Sequence, residues 1–596
     1  MQREIIQSVL DGHDTLGLLP TGGGKSITFQ VPALMLEGLT LVITPLISLM
    51  KDQVDNLRKI RVKATYIHSG LTNGERNLAI DRCRLGIAKI LYLSPEKLLS
   101  ESFLDELRFF KISLIVVDEA HCISQWGYDF RPSYLKIEKI RNLFPNAPVL
   151  ALTATATHDV VEDIIKNLGF KNHNILSNSF KRENLSYIVR RTEDKQGQLL
   201  RILSNVDGSI IVYVRSRKRA KELAELLRDN DLSADFYHAG LLPEEKNQKQ
   251  NKWSKGEIRI IVATNAFGMG IDKSDVRAVV HYDIPSSLEE YYQEVGRGGR
   301  DDKHAWAVAL ISVADKGVLT RRLNESFPPK DFIKNVYDKA GVFLGVAIGD
   351  GFNRTYDFNF NIFCERFNLP TSPTRNSMEI LTQAGLFEFN EDMRSSARLM
   401  ILLRKEELYN LRIDNEADRI LNQILRMYPG LFSDYVYINE QLIASHLDLT
   451  PQTVYEALLR LARNYVIHYV PRRSTPYLYY PTSREEVRHV VIPRTVYEDR
   501  RSVMEKRIKS MSDFIFSHDE CRSKTILRYF GEENVEDCGH CDVCRAKNKS
   551  IRAEETKRLK KSVEYLLSNG HDITYILAQF SSSQQSEVIE IIRSKR

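Results

Sequence analysis

Leu16-Gly17-Leu18-Leu19-Pro20-Thr21-Gly22-Gly23-Gly24-Lys25-Ser26-Ile27-Thr28-Phe29 is the stretch that decides the fold. An apolar strand runs into a glycine loop, and a helix begins beyond it. Glycines let backbone N–H groups close on phosphate oxygens. The helix N-terminus adds a positive dipole, the lysine a cation and the serine hydroxyl a ligand for Mg²⁺. Thr21, Gly22, Gly23, Gly24, Lys25 and Ser26 are therefore the expected phosphate and metal binders. Leu19 stands where the full loop pattern has a glycine, so the signature is partial on its own. Its complement is Leu114-Ile115-Val116-Val117-Asp118-Glu119-Ala120-His121, a buried strand that delivers two carboxylates to its C-terminal end. Asp118 is expected to bind the metal and Glu119 to orient or deprotonate the attacking water. The two features together predict hydrolysis of a nucleoside triphosphate such as ATP.

Outward from these motifs the pattern is α/β. Leu39–Thr44, Ile90–Leu93, Leu114–Val117 and Val149–Thr153 read as strands between helical stretches, each ending in small or polar residues. Ser209–Val214, Ala234–His238, Ile258–Ala263 and Ala278–Tyr282 repeat the pattern without a second phosphate loop. Two parallel-sheet domains, 1–175 and 176–330, with one phosphate loop predict a nucleotide held in the cleft between them. Arg297 and Arg300, on the glycine-rich segment Gln293–Arg300, suit contact with a γ-phosphate across that cleft.

Beyond residue 330 the chain reads as mostly helix with short strands. In 331–410, Phe360–Phe367 and Pro373–Gln383 are helical, and Leu386–Phe389 with Arg398–Leu403 predict a wing. In 411–496, Ile438–Leu447 and Pro451–Asn464 are helical, and Val466–Val470 with Tyr477–Tyr480 predict a second wing. Thr450-Pro451 is an expected N-cap and first helical position. Arg472 and Arg473 at the second wing tip are expected phosphate contacts, with Tyr477, Tyr479 and Tyr480 supporting a strand-separating wedge. Residues 549–596 read as a helical tail.

Cys521, Cys538, Cys541 and Cys544 are spaced Cys-x16-Cys-x2-Cys-x2-Cys. Four thiolates suit tetrahedral Zn²⁺, and a closed shell makes the metal structural. His540 is then a turn residue, not a ligand. The chain has 596 residues, 43% hydrophobic and 27% charged, with net charge +6. That size allows about four domains. The charge is compatible with a polyanionic partner. No apolar run reaches the roughly 20 residues a membrane span needs, and no leader pattern is seen, so the expectation is a soluble, cytoplasmic protein.

Asp118-Glu119-Ala120-His121-Cys122-Ile123-Ser124-Gln125-Trp126-Gly127-Tyr128-Asp129-Phe130-Arg131-Pro132 resembles the DEAH box and aromatic-rich loop of RecQ-type DNA helicases. Thr44-Pro45-Leu46, Ser94-Pro95-Glu96, Thr153-Ala154-Thr155-Ala156, Ala263–Asp272 and Gln293–Arg300 extend the likeness over residues 1–330. It resumes over 497–548, around the cysteines. The resemblance implies two RecA-like domains, ATP and Mg²⁺, and 3′→5′ unwinding of duplex DNA in repair and recombination. It implies that Gln2 reads adenine, that His121 couples hydrolysis to DNA, and that Trp126, Phe130 and Arg131 sense single-stranded DNA. Partners would be single-stranded DNA and duplex junctions, with repair or single-strand-binding proteins beside them and, in a bacterium, a place on the nucleoid. In most relatives the zinc subdomain directly follows the second lobe, whereas here residues 331–496 intervene. An RNA helicase, a translocase that does not unwind, and a winged-helix regulator with a vestigial ATPase are the competing readings.

Overall fold

The computed structural model describes every residue except 21, 69–70, 72, 100, 128, 269–272, 391–396, 404, 409–410, 412, 429–430, 433–434, 472–475, 582–583 and 595–596. Thr21, Tyr128, the end of the Ala263–Asp272 motif, Arg472 and Arg473 thus lie outside the described residues.

Strands Asp14–Leu18 (β1), Leu39–Ile43 (β2), Ala64–Ile67 (β3), Ile90–Leu93 (β4), Ile112–Val117 (β5), Val149–Thr153 (β6) and His173–Ser177 (β7) form one sheet. Its order is β3-β4-β2-β5-β6-β1-β7, with every pair parallel. Parallel neighbours need crossovers, and the helices that make them cover both faces, so β1, β2, β4 and β6 are buried at every residue. The same geometry gathers the loops after β1, β2, β5 and β6 on one edge of the sheet, where the nucleotide motifs sit.

The second sheet comprises Leu185–Arg191 (β8), Ser209–Tyr213 (β9), Ala234–Tyr237 (β10), Ile260–Ala263 (β11), Val276–His281 (β12) and Ala305–Ile311 (β13). They stand in the order β10-β11-β9-β12-β13-β8, again all parallel. The expected pair of parallel-sheet lobes is thus present.

The next region departs from expectation. Its strands are Arg354–Asp357 (β14), Glu388–Asn390 (β15), Arg398–Ile401 (β16), Val436–Tyr437 (β17), Ile467–Val470 (β18) and Tyr477–Tyr480 (β19). Neither predicted hairpin forms. β19 pairs with β14 and β15, while β16 pairs with β17 and β18. The outer helix-and-strand unit therefore encloses a second one, inserted where its wing would turn. Burial explains the exchange. β19 sends Leu478 and Tyr480 into the core that holds Phe387 and Tyr337, whereas β16 and β18 send Leu399 and Ile467 into a separate core with Val454 and Leu458. A hairpin between neighbours in sequence would have put these faces in the wrong cores. Tyr477, Tyr479 and Tyr480 are buried, so they do not support an exposed wedge. β18 and β19, which the second wing would have paired, belong to different sheets. The Thr450 cap does form, its side chain accepting from the Thr453 N–H.

After this excursion the chain returns to the second lobe. Helix Glu498–Phe516 leads to helix Arg522–Tyr529 and the cysteines. Phe530 stacks on Phe180 at 4.9 Å and lies 5.1 Å from Tyr292. Glu532 accepts from the Phe180 N–H at 2.6 Å. The cysteine module is therefore seated against the second lobe although residues 331–496 separate them in sequence. A 27-residue helix, Asp542–Ser568, carries the chain to two short helices, Ile573–Ala578 and Gln585–Arg593, which pack on its C-terminal half. None of the described helices is long and apolar enough to cross a membrane.

Asn390 and Tyr477 face each other across the β15–β19 pair. Replacing residues 391–476 by Asn-Gly should close these strands into a two-residue hairpin. The shortened protein is expected to unfold cooperatively, with a thermal midpoint within about 5 °C of the parent by calorimetry. Aggregation would show instead that the insert is needed to complete the outer unit.

Candidate functional site

The phosphate loop is built by backbone geometry. Gly22 and Gly24 take φ of +84° and +73°, which side chains other than glycine rarely adopt. Gly24 caps helix Lys25–Met35. A Cβ there would lie 2.1 Å from Nε2 of Gln2. Gln2 itself donates to the Gly23 carbonyl at 2.9 Å, so in this structure it braces the loop. Ser26 Oγ accepts from Gln53 at 3.4 Å, and Gln53 is held by the Tyr92 hydroxyl at 2.7 Å. Nothing local in the sequence singles out Gln53; β4 brings Tyr92 to it.

Lys25 Nζ lies 3.5 Å from Glu119 Oε1, and both Asp118 and Glu119 are buried. Burial and the adjacent Glu119 push the Asp118 carboxyl up to about 6. Burial also raises Glu119, but Lys25, His121 and Arg297 outweigh it and hold that carboxyl below the ordinary range. The pair is therefore split, with Glu119 the readily ionised member and Asp118 the one that awaits a cation. His121 is buried, and burial lowers its pKa, so the ring is neutral at pH 7. Its Nδ1 lies 2.9 Å from Thr153 Oγ1 and 3.4 Å from Glu119. His121 thereby links the Thr153-Ala154-Thr155 motif to Glu119.

The second lobe supplies the other wall. Arg300 packs along the phosphate loop, its Cγ 3.4 Å from where a Cβ on Gly22 would be. Arg297 is buried, and its Nε has no hydrogen-bond partner among the described residues. Arg300 thus reaches the phosphate loop, and the charge of Arg297 bears on Glu119.

The aromatic loop turns back tightly after His121. Gly127 packs so close that a Cβ would meet the His121 carbonyl at 2.1 Å. Trp126 is 37% exposed, so it is not a core anchor. Lys506 Nζ sits 5.9 Å from its ring centre. Phe130 is half-buried. Arg131 donates to Asp129 at 3.0 Å and to the Pro45 carbonyl at 3.1 Å, which ties the loop to the segment after β2. The sequence reading missed Lys506 and Arg507, which reach this loop, and Glu289, which pairs with Arg507. No local motif marks them.

The cysteine Sγ atoms of residues 521, 538, 541 and 544 lie within 4.8 Å of one another. Tetrahedral Zn–S bonds imply sulfur separations of about 3.8 Å, and Cys521 and Cys541 stand 3.9 Å apart. Backbone N–H groups of Cys538 and Cys544 point at Sγ of Cys521 and Cys541. The four cysteines fit zinc. His540 is outside the set, its Nδ1 3.0 Å from Ser186 Oγ in the second lobe.

Family models match in four stretches. They are DEAD/DEAH box helicase over residues 1–164, helicase conserved C-terminal domain over 194–302, RecQ helicase winged-helix domain, Bacteroidota, over 399–471, and RecQ zinc-binding over 484–545. The ATP-dependent DNA helicase RecQ of Pasteurella multocida is 45% identical over 54% of this chain and 51% of its own length. RecQ of Bacillus subtilis is 44% identical over 53% of this chain and 54% of its own. The probable ATP-dependent DNA helicase RecS of Bacillus subtilis is 42% identical over 53% of this chain and 64% of its own. The chain thus spans about half the length of the first two and under two thirds of the third. Paired parallel-sheet lobes around one phosphate loop, with Arg300 of the second lobe at its rim, are an arrangement suited to nucleotide hydrolysis, and the first lobe matches the DEAD/DEAH box helicase model. A winged-helix stretch and a four-cysteine stretch both match RecQ models, and over about half its length the chain is similar to RecQ helicases. The winged-helix match corresponds to the inserted unit, and the zinc-binding match begins upstream of the 497 boundary read from the sequence.

Two outcomes follow from this geometry. An unfolded aspartate ionises near pH 4, whereas the folded Asp118 does so at about 6. The neutral acid's advantage is complete below the first value and is lost as pH rises through the second. At pH 7.5 the ionised carboxylate therefore costs stability. Asp118→Asn should raise the stability of metal-free protein by about 1–3 kcal/mol, less toward pH 4, in thermal denaturation; an unchanged midpoint at pH 7.5 would refute the assignment. Cys541→Ser should abolish stoichiometric zinc in a colorimetric assay and lower the thermal midpoint. Full zinc retention would show that the cluster is not the site.

Proposed function

We propose that this protein is an ATP-dependent helicase that moves 3′→5′ on single-stranded DNA and opens duplex, in repair and recombination at the nucleoid. The observation that carries the reading is the packing of Arg300 against Gly22, which brings the second lobe to the phosphate loop of the first. Lys25 and the loop N–H groups would hold the β- and γ-phosphates, Thr21 and Ser26 belonging to the same set. Asp118 with Ser26 would hold Mg²⁺, which neutralises phosphate charge when bound. Glu119, already ionised, would orient the attacking water, and Arg297 and Arg300 would meet the charge that develops. Gln2 would read adenine on nucleotide binding.

His121 touches both Glu119 and Thr153 and lies under the aromatic loop, which supports a coupling role. Trp126 and Phe130 would stack on bases, and Arg131 would fix the loop beside them. Opening and closing of the cleft would step the lobes along the phosphate backbone, with affinity falling as salt rises. We further propose six units: the lobes 1–175 and 176–330, an outer helix-and-strand unit reaching from 331 to about 390 and regaining the chain at β19, the inserted winged helix between, the zinc module to 548, and the helical tail.

Strand displacement on forked DNA, with ATPase measured in parallel on DNA and RNA strands, tests this reading. Unwinding that needs ATP and a 3′ overhang is expected. Glu119→Gln should reduce turnover by at least about a hundredfold while DNA affinity changes little. Trp126→Ala should erase most of the stimulation by DNA. ATP turnover indifferent to DNA would sink the proposal, and stimulation by RNA alone would redirect it to an RNA helicase.

A further inference from the structure

One residue of the zinc module touches both ends of the motor. Arg507, on helix Glu498–Phe516, donates to the main-chain carbonyl of Trp126. Its Nε lies 3.3 Å from Glu289 Oε1. Glu289 is 4% exposed and accepts from the Tyr529 hydroxyl at 2.8 Å. It belongs to helix Leu288–Val295, whose C-terminal end runs directly into Arg297 and Arg300. Seven of that helix's eight residues are buried, and its Tyr291 ring lies 5.0 Å from Phe514 of the Arg507 helix. The helix is therefore packed between its own sheet, which Tyr291 meets at Tyr187 and His281, and the Arg507 helix.

These contacts close a ring. From Glu119 it passes through His121, the Gly127 turn and the Trp126 carbonyl to Arg507. From Arg507 it passes to Glu289, along a buried helix to Arg300, and back to the phosphate loop at Gly22. A buried carboxylate held by one guanidinium resists separation, because parting them strands a charge in a low-dielectric site. A displacement of the aromatic loop would therefore be carried to the arginine segment through this pair.

We propose that Arg507 and Glu289 are positioning residues through which the state of the aromatic loop sets the placement of Arg297 and Arg300. Tyr529 anchors Glu289 in that role. The zinc module would thus be a working part of the hydrolytic cycle as well as a folding unit. The inference rests on the reading of a DNA-stimulated ATPase and adds its route.

The test uses the full zinc-loaded chain, with oligothymidine as the nucleic acid. Arg507→Met keeps length without charge, and Glu289→Gln is its neutral complement. Each is expected to reduce the ratio of stimulated to basal kcat by about tenfold, and the double variant to reduce it no further. Basal kcat, zinc content and oligothymidine affinity stay near those of the parent, which a merely structural lesion would not allow. Tyr529→Phe removes only one hydroxyl and should lower the same ratio by a few-fold. It decides the matter if Arg507→Met loses zinc. Undiminished stimulation in Tyr529→Phe and Glu289→Gln, or losses that multiply in the double variant, would overturn the proposal. A parent protein without stimulation would overturn the underlying functional reading and this inference with it.

Discussion

The ammonium of Lys25 beside the Glu119 carboxylate is the interaction on which the site depends. Two adjacent acids buried at the end of a strand repel each other and are both poorly solvated. One cation at 3.5 Å lets Glu119 stay ionised while Asp118 shifts toward neutrality. Lys25 comes from the loop after β1 and the acids from the end of β5, with β6 between them. The parallel sheet thus brings the charges together at its C-terminal edge.

The second dependency is the seam between lobes. Arg300 lies along Gly22, whose backbone angle calls for glycine. A cleft completed by residues from two lobes is chemically competent only when they are together. On the proposed reading that property would convert hydrolysis into motion, and the zinc module, seated on the second lobe and touching the aromatic loop of the first, would act on both.

The third organising fact is nesting. The chain leaves the second lobe, builds an outer unit, interrupts it with an inserted winged helix, finishes the outer sheet with β19 and only then reaches the cysteines. The inserted unit has its own core, and His468, buried between Tyr435 and Tyr479, lies at the junction. Such an insertion is tolerated because the strands flanking it, β15 and β19, are paired directly. Outer-unit stability is then local to that sheet and the helices beneath it.

The amino-acid sequence by itself determined the two lobes, the phosphate loop, the acidic strand end, the arginine segment and the cysteine cluster. Each is written in contiguous residues whose chemistry is local: glycines before a lysine, acids after an apolar strand, sulfurs two residues apart. Tertiary structure alone decided the strand exchange between the nested units, because β15 and β18 have equally plausible partners nearby and only burial in separate cores discriminates. It alone decided that Tyr477, Tyr479 and Tyr480 are core residues, since an alternating aromatic strand reads the same exposed or buried. It also decided that Gln53 braces Ser26 and that Arg507 meets Trp126 and Glu289. Those contacts join residues far apart in the chain, and no periodicity or spacing records a distance that only folding creates.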